Sequence, residues 1–267
     1  MKASLQEKAR QLRRDAMQMI YEANSGHPGG ALSLADIMAY LYFNRMRVQA
    51  ANPKDPRRDR LILSKGHAAP ILYAALGERG FFSKEEFHRL RKTGALLQGH
   101  PCVSIPGVDA STGSLGLGLS MATGMAVAAQ RSRMDVKIYV IMGDGEQDEG
   151  QIWEAAMAAP RFGLDNLVAV LDRNRYQNDG KTEEIMPLDS LYDKWKAFRW
   201  HVLEVDGHDF DQLDAAFTEA DNTKGGPTLI IADTVKGKGV SYLLNQPQLH
   251  YRPPTEEQFL SAMRDLA

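Results

Sequence analysis

Cysteine is almost absent. Cys102 is the sole one in 267 residues, so no disulfide can close within the chain. That usage fits a reducing cytoplasm. A catalytic thiol is the sharper reading of Cys102, but it follows Pro101 with no base nearby except His100. An excess of one charge is missing too. Lys and Arg total 32 against 34 Asp and Glu, so no electrostatic argument favours nucleic acid or a membrane surface. No apolar run approaches the roughly 20 residues that cross a bilayer. The opening MKASLQEKARQLRRDAMQMIYEANSG is charged and amphipathic, without the apolar core of a signal peptide. Repeats, low-complexity tracts and clear linkers are also lacking. What remains is an ordinary globular composition, 43% hydrophobic and 25% charged. One domain over residues 1–267 is the simplest account.

The stretch that organises the rest is Lys137–Gly180. It reads as an apolar run, GDGEQDEG, an Ala-rich helical segment, a second apolar run and then Asn174. That is strand, turn, helix and strand, with a polar residue at the carboxyl end of each strand. In an open parallel sheet those ends are where ligands sit. Gly143 and Gly145 flank Asp144, letting the backbone turn sharply and a large anion approach. A helix starting just after Gly145 would aim its free N–H groups at the same place. If the two strands are neighbours, the Asp144 carboxylate and the Asn174 amide oxygen converge. A hard dication takes oxygen ligands, and Mg²⁺ takes few from protein while keeping substrate phosphates. Asp144, Asn174 and the Tyr176 carbonyl therefore read as a Mg²⁺–diphosphate site. A tight turn with a capping Asp is the plainer alternative.

Elsewhere the periodicity gives an amphipathic helix over 4–23, ending at Asn24-Ser25-Gly26 before turn-forming His27-Pro28-Gly29-Gly30. Ser33 reads as the N-cap of a helix ending near Phe43. Arg60–Leu63 is a short strand followed by Ser64-Lys65-Gly66-His67 and a helix to about Glu78. Ser83 with Glu86 reads as a capping box for Lys84–Arg91. Arg57–Arg60 reads as a solvated face, with help to a substrate phosphate as the alternative. Residues 93–114 form a long loop, of the kind that is usually functional or disordered. A small-residue helix follows from about Gly116 to Gln130. A short helix around Leu188–Phe198, strands at His201–Val205 and Thr228–Ala232, a helix between them and a final helix from Thr255 complete a doubly wound, mostly parallel α/β sheet flanked by helices. His88 and His201 read as structural, and His208 as shaping a turn.

Several of these stretches together resemble one family. GDG with Asn about thirty residues on is the thiamine diphosphate signature. Ser25-Gly26-His27-Pro28-Gly29, Ser64-Lys65-Gly66-His67, Gly99-His100-Pro101, the loop DASTGSLG at 109–116 and Val205–Asp209 look like transketolase motifs, in the right order over essentially the whole chain. The resemblance is to the diphosphate-binding N-terminal domain, and most of all to the split form encoded by two genes. It implies thiamine diphosphate and Mg²⁺ (with Ca²⁺ or Mn²⁺ able to substitute) as cofactors. It implies Asp144, Asn174 and the Tyr176 carbonyl as metal ligands, and Gly143, Gly145 and His67 as diphosphate contacts. Gly113 and Leu115 look like contacts to the cofactor rings. His27, His100 and His250 look like groups lining the channel to the thiazolium C2 carbon. Glu149 matches a carboxylate in a proton relay across the interface. Two departures stand out. His250 sits in QLHYRPP rather than His-Gly, and Leu117 stands where Gln is expected.

The glutamate that activates the pyrimidine lies, in this family, in a second α/β domain, for which this chain has no room. The resemblance thus implies a C-terminal, pyrimidine-binding partner subunit, in an α₂β₂ heterotetramer, and ketol transfer between sugar phosphates in a cytoplasmic, pentose-phosphate type of metabolism. Nucleic acid and membrane are not expected partners. Two other readings stay open: the α subunit of a 2-oxoacid dehydrogenase, which shares GDG and Asn, and a non-catalytic module that keeps the fold to bind a partner.

Overall fold

The computed structural model describes residues 2–188, 190–246 and 249–267. Its elements run α1 (Lys2–Glu22), α2 (Pro28–Leu32), α3 (Ala35–Tyr40), β1 (Arg60–Leu63), α4 (Ala69–Glu78), α5 (Leu117–Arg131), β2 (Ile138–Gly143) and α6 (Gly150–Arg161). They continue β3 (Leu167–Arg173), α7 (Thr182–Ile185), α8 (Leu191–Ala197), β4 (His201–Asp206), α9 (Phe210–Asn222), β5 (Thr228–Asp233) and α10 (Glu256–Asp265).

The strands form one sheet in the order β1-β2-β3-β5-β4, every pair parallel. β2 and β3 bury every residue, which is why both read as near-continuous apolar runs. Alternation along them divides two cores. Tyr139, Ile141, Val168 and Val170 pack in a cluster with Leu12 of α1, Ile37 of α3, Leu72 of α4 and Phe217 of α9. Val140, Met142, Ala169 and Leu171 pack with Leu119 of α5, Ile152 of α6 and Trp195 of α8. Helices thus cover both faces, and the doubly wound expectation holds. At roughly 1.5–3 kcal/mol for each fully buried large aliphatic side chain, these two layers dominate what fixes the strand tips. Gly143 pairs with Asp172 in register, so Asp144 and Asn174 leave neighbouring strands at the same end.

Local departures from the sequence reading have identifiable causes. His27–Gly30 is more than a turn: Pro28 opens α2, a position where its missing N–H costs nothing. Ser33 is then not an N-cap. It follows α2, and its hydroxyl lies within hydrogen-bond reach of the Gly30 carbonyl and of Asp172. The helix expected after it is α3 followed by a π-helical turn, Leu41–Arg45. Lys84–Arg89 is a 3₁₀ turn in which Ser83 accepts from the Glu85 N–H, while Glu86 pairs with Arg89. Arg57–Arg60 is not a uniformly solvated face. Asp59 is buried and Arg58 is held by Asp109, leaving Arg57 outside. Of the segment 188–198, Asp189 lies outside the described residues, and the helix is α8. His88 and His201 pair with Glu22 and Glu219. His208 joins elements: Nδ1 donates to Asp36, and Nε2 accepts from the Val235 N–H.

Candidate active site

Every residue to which the resemblance gives a cofactor, metal or catalytic role lines one cavity of about 510 Å³: His27, His67, His100, Gly113, Leu115, Gly143, Asp144, Gly145, Glu149, Asn174, Tyr176 and His250; Cys102 does not line it. It opens at the carboxyl ends of β2 and β3. A larger cleft of about 900 Å³ shares Asn174 and Tyr176 but continues over the tips of β4 and β5. Arg175 pairs there with Asp233 and Lys181 with Glu184, and none of the imidazoles of the smaller cavity lines the cleft.

The GDG turn is built differently from a helix start. Gly145–Asp148 is a 3₁₀ turn and α6 begins only at Gly150. The cause is side-chain capture of the turn. Asp144 accepts from the Gly145 N–H, and Gln147 donates back to the Gly143 carbonyl. Glu146 turns inward, accepting from Ser64 Oγ and from the N–H groups of Gly116 and Gly143. One buried carboxylate thereby ties β1's exit, the 109–116 loop and the GDG turn together. Gly116 adopts φ +85°, a left-handed conformation suited to glycine, and opens α5. Glu149 is the exposed residue before α6, beside Gly116.

The loop after β3 brings the two expected metal ligands together. The Arg175 N–H donates to Asp144 Oδ2, and the Tyr176 N–H donates to Asn174 Oδ1. Arg173 Nη1 stands 3.4 Å from Asp144 Oδ2, but the same guanidinium also pairs with Glu183 at 2.6 Å. Burial, and then the nearby Asp172 charge, outweigh Arg173 and push the Asp144 carboxyl from 3.8 up to about 6. Lys236 shows the converse: burial, with Lys65 nearby, brings its ammonium down to about 8. Asp144 is short of positive charge and Lys236 short of negative charge in the same cavity. Among the described residues no group of three or more His, Cys, Asp or Glu could hold a metal ion. A cation here would thus rely on one carboxylate, neutral oxygens and the oxygens of a ligand. That donor set fits Mg²⁺ on a diphosphate.

The imidazoles form a second group. Ring centroids lie 4.9 Å apart for His27 and His67, 5.2 Å for His27 and His250, and 5.5 Å for His67 and His250. Burial, then Arg91 and His100, lowers His27 to about 4. Burial, then Lys236 and His27, lowers His250 to about 3. His67 is held well below 6.5, chiefly by burial, and His100 is lowered by burial and Arg91. All four are neutral near pH 7, each able to donate from one nitrogen and accept at the other. His27 Nδ1 and His250 Nδ1 are buried with no hydrogen-bond partner among the described residues, as expected of groups that meet a ligand.

Sequence reasoning missed several participants. Lys65 and Lys236 line the cavity. Lys65 stands inside a recognised motif, and its role could have been asked for there; nothing around Lys236 marked it. Arg91 borders His100, and a Cβ on Gly99 would lie 2.7 Å from its guanidinium carbon. Among the described residues Arg91 has no carboxylate partner. Asp172 was visible as the one acid following the apolar run LVAVL in β3. Burial opposes its ionisation, yet the Lys65 ammonium and the bonds from Lys65, Thr234 and Ser33 outweigh that and hold its carboxyl below the usual range.

Residues 4–266 match the family described as transketolase, thiamine diphosphate binding domain. The chain belongs to the transketolase family. A Phocaeicola vulgatus protein, named as one subunit of an apulose-4-phosphate transketolase, is 46% identical over 255 residues, covering 96% of this chain and 91% of that one. A Clostridium protein named 6-deoxy-6-sulfo-D-fructose transketolase subunit SqwG is 45% identical over 263 residues, covering 98% and 96%. The crystal structure of transketolase from Campylobacter jejuni superposes with a TM-score of 0.93 at 34% identity, over 98% of this chain but 42% of that one. The chain therefore spans nearly all of two transketolase subunits and about two fifths of the Campylobacter enzyme's chain. The transketolase match supports the main reading over the 2-oxoacid dehydrogenase alternative. No described helix is long and apolar enough to cross a membrane.

Proposed function

We propose that this chain, as one domain over residues 1–267, is the N-terminal subunit of a split, thiamine diphosphate- and Mg²⁺-dependent transketolase. With a C-terminal, pyrimidine-binding partner in an α₂β₂ assembly, it moves a two-carbon ketol unit from a ketose to an aldose. The observation that carries this is the pairing of unmet charges in one cavity, an acid pushed up to about 6 and a lysine brought down to about 8 beside neutral histidines. Asp144, Asn174 and the Tyr176 carbonyl would hold the metal, which Ca²⁺ or Mn²⁺ can replace. Gly143, Gly145, His67 and Lys236 would meet the diphosphate, and Gly113 and Leu115 the rings. The cofactor, when bound, supplies the site at which the ketol carbon is held between donor and acceptor.

The chain's own residues bind and orient. His27, His100 and His250 would hydrogen-bond sugar hydroxyls and carbonyl, accepting or returning protons at their ring nitrogens. Glu149 would carry a proton relay to the partner. Arg91, a guanidinium without a carboxylate partner among the described residues, suits an anionic sugar. Both subunit relatives are named for sugars bearing a phosphate or a sulfo group, so a sugar phosphate or like anion is the expected substrate class. A cytoplasmic location belongs to the same reading and is supported by the single free thiol.

The test is reconstitution. The chain with thiamine diphosphate, Mg²⁺ and a ketose phosphate should show no turnover until its partner is added. Substantial turnover by the chain alone contradicts the split assembly. Decarboxylation of a 2-oxoacid contradicts the reaction. Failure of the reconstituted pair to bind the cofactor would favour the non-catalytic reading.

A further inference from the structure

Asp172 lies in β3 with none of its surface exposed. Its oxygens meet four donors from four segments. Lys65 Nζ, from the turn after β1, and Ser33 Oγ, at 2.7 Å, donate to Oδ2. Asn174 Nδ2 donates to the same oxygen at 3.1 Å. Thr234 Oγ1, just past β5, donates to Oδ1. Asn174 is itself only 5% exposed. Its amide stands between two neighbours of opposite character. The carboxylate can only accept, so the NH₂ group must face Asp172. The Tyr176 N–H can only donate, and it lies 3.1 Å from Oδ1. Both constraints select the same orientation.

We propose that Asp172 is the positioning residue of the metal site: by holding the NH₂ group of Asn174, it compels Asn174 to present oxygen to the cation. The proposal rests on the cofactor reading above. A dication binds an amide through its oxygen alone, so a turned amide is a lost ligand. Groups that orient a ligand in this way typically matter 10- to 100-fold in metal affinity. The bland role for Asp172 is a buried ion pair with Lys65 that only holds the fold, and a double-mutant cycle separates the two.

The experiment titrates Mn²⁺ into the chain reconstituted with its partner subunit at saturating thiamine diphosphate and reads the free ion by electron paramagnetic resonance. Asp172→Ala should weaken Mn²⁺ about 10- to 100-fold. Asp172→Asn, which keeps an acceptor oxygen toward Asn174, should recover most of that. In an Asn174→Ala background, Asp172→Ala should add less than about twofold, because the group it acts through is gone. Where Asp172→Ala does not fold by circular dichroism, Asp172→Ser takes its place. Effects that multiply in the double variant overturn the proposal, as does wild-type Mn²⁺ affinity in a folded Asp172→Ala. If the wild-type chain with its partner binds no Mn²⁺, or Asp144→Ala binds as well as wild type, the cofactor reading itself fails and the proposal falls with it. Expected behaviour of those two with an unaltered Asp172→Ala removes the positioning role alone.

Discussion

Asp144→Asn should make the metal-free chain more stable while abolishing metal-dependent binding. The carboxyl is 1% exposed, and its pKa rises from 3.8 to about 6 because burial and Asp172 oppose its charge by more than Arg173 favours it. Each pKa unit is worth about 1.4 kcal/mol, so the ionised group costs the empty fold about 3 kcal/mol at pH 7. An amide removes that cost. It keeps one acceptor oxygen for the Arg175 N–H, but its NH₂ group faces the Gly145 N–H, losing a bond of about 1 kcal/mol. The net gain is about 2 kcal/mol, or a Tm rise of roughly 4–8 °C for a chain of this size. Thermal unfolding with EDTA present is the assay. Between pH 4 and pH 6 the folded state holds more protons than the unfolded one at this residue. The wild-type deficit therefore grows as pH rises through that window and vanishes below about 4. Adding Mg²⁺ and thiamine diphosphate should reverse the order, since ligand stabilises only the wild type. An Asn variant no more stable than wild type at pH 7, or a gap that survives at pH 4, refutes the argument.

His27 and His250, at about 4 and about 3, are neutral in the fold but titrate near 6.5 when unfolded. Their contribution is therefore lost as pH falls from about 6.5 towards 4, and His27→Gln with His250→Gln should flatten the fall in urea midpoint between pH 7 and pH 5. His100→Ala, at an exposed channel position, should lower kcat of the reconstituted enzyme by about 100-fold or more while the cofactor Kd moves less than about threefold. Equal losses would give His100 a structural role. A Cβ on Gly118 would lie 2.4 Å from Ser64 Cβ. Gly118→Ala should thus push α5 off the end of β1, at about 1–3 kcal/mol in urea unfolding and with weaker cofactor binding; a neutral substitution would show that this contact yields freely.

Much of the frame was legible because its signals are local. Apolar runs at 138–143 and 167–171 mark fully buried parallel strands, and GDG with Asn174 marks their tips. Most residues lining the cavity were legible because they stand in short motifs at or just past strand ends, a signal that needs no distant partner. Boundaries failed where a side chain outbid the local rule. Ser33 has the chemistry of a cap, but Asp172, 139 residues away, takes its hydroxyl. Gly145 starts a 3₁₀ turn because Asp144 and Gln147 capture the backbone that an α-helix would have used. Arg58 looked solvated because Asp109, 51 residues on, is invisible to a local reading.

The same distinction explains why Lys65 and Lys236 were missed while Asp144 and Asn174 were found. Lys65 and Lys236 look like surface residues by type, and only the fold shows both at 1% exposure. Lys65 is answered within the chain by Asp172, 107 residues away. Lys236 reaches the Gln177 carbonyl at 3.2 Å and the Tyr176 ring, but no carboxylate among the described residues answers it directly. Asp144 has only a share of Arg173, whose guanidinium is divided with Glu183. An unanswered buried ammonium is expensive, as is a half-answered buried carboxylate. The chain tolerates one of each in the same cavity. A bare dication would relieve Asp144 and aggravate Lys236, and a bare diphosphate would do the reverse. A metal–diphosphate complex relieves both at once, so the charge layout favours the two arriving together rather than either alone.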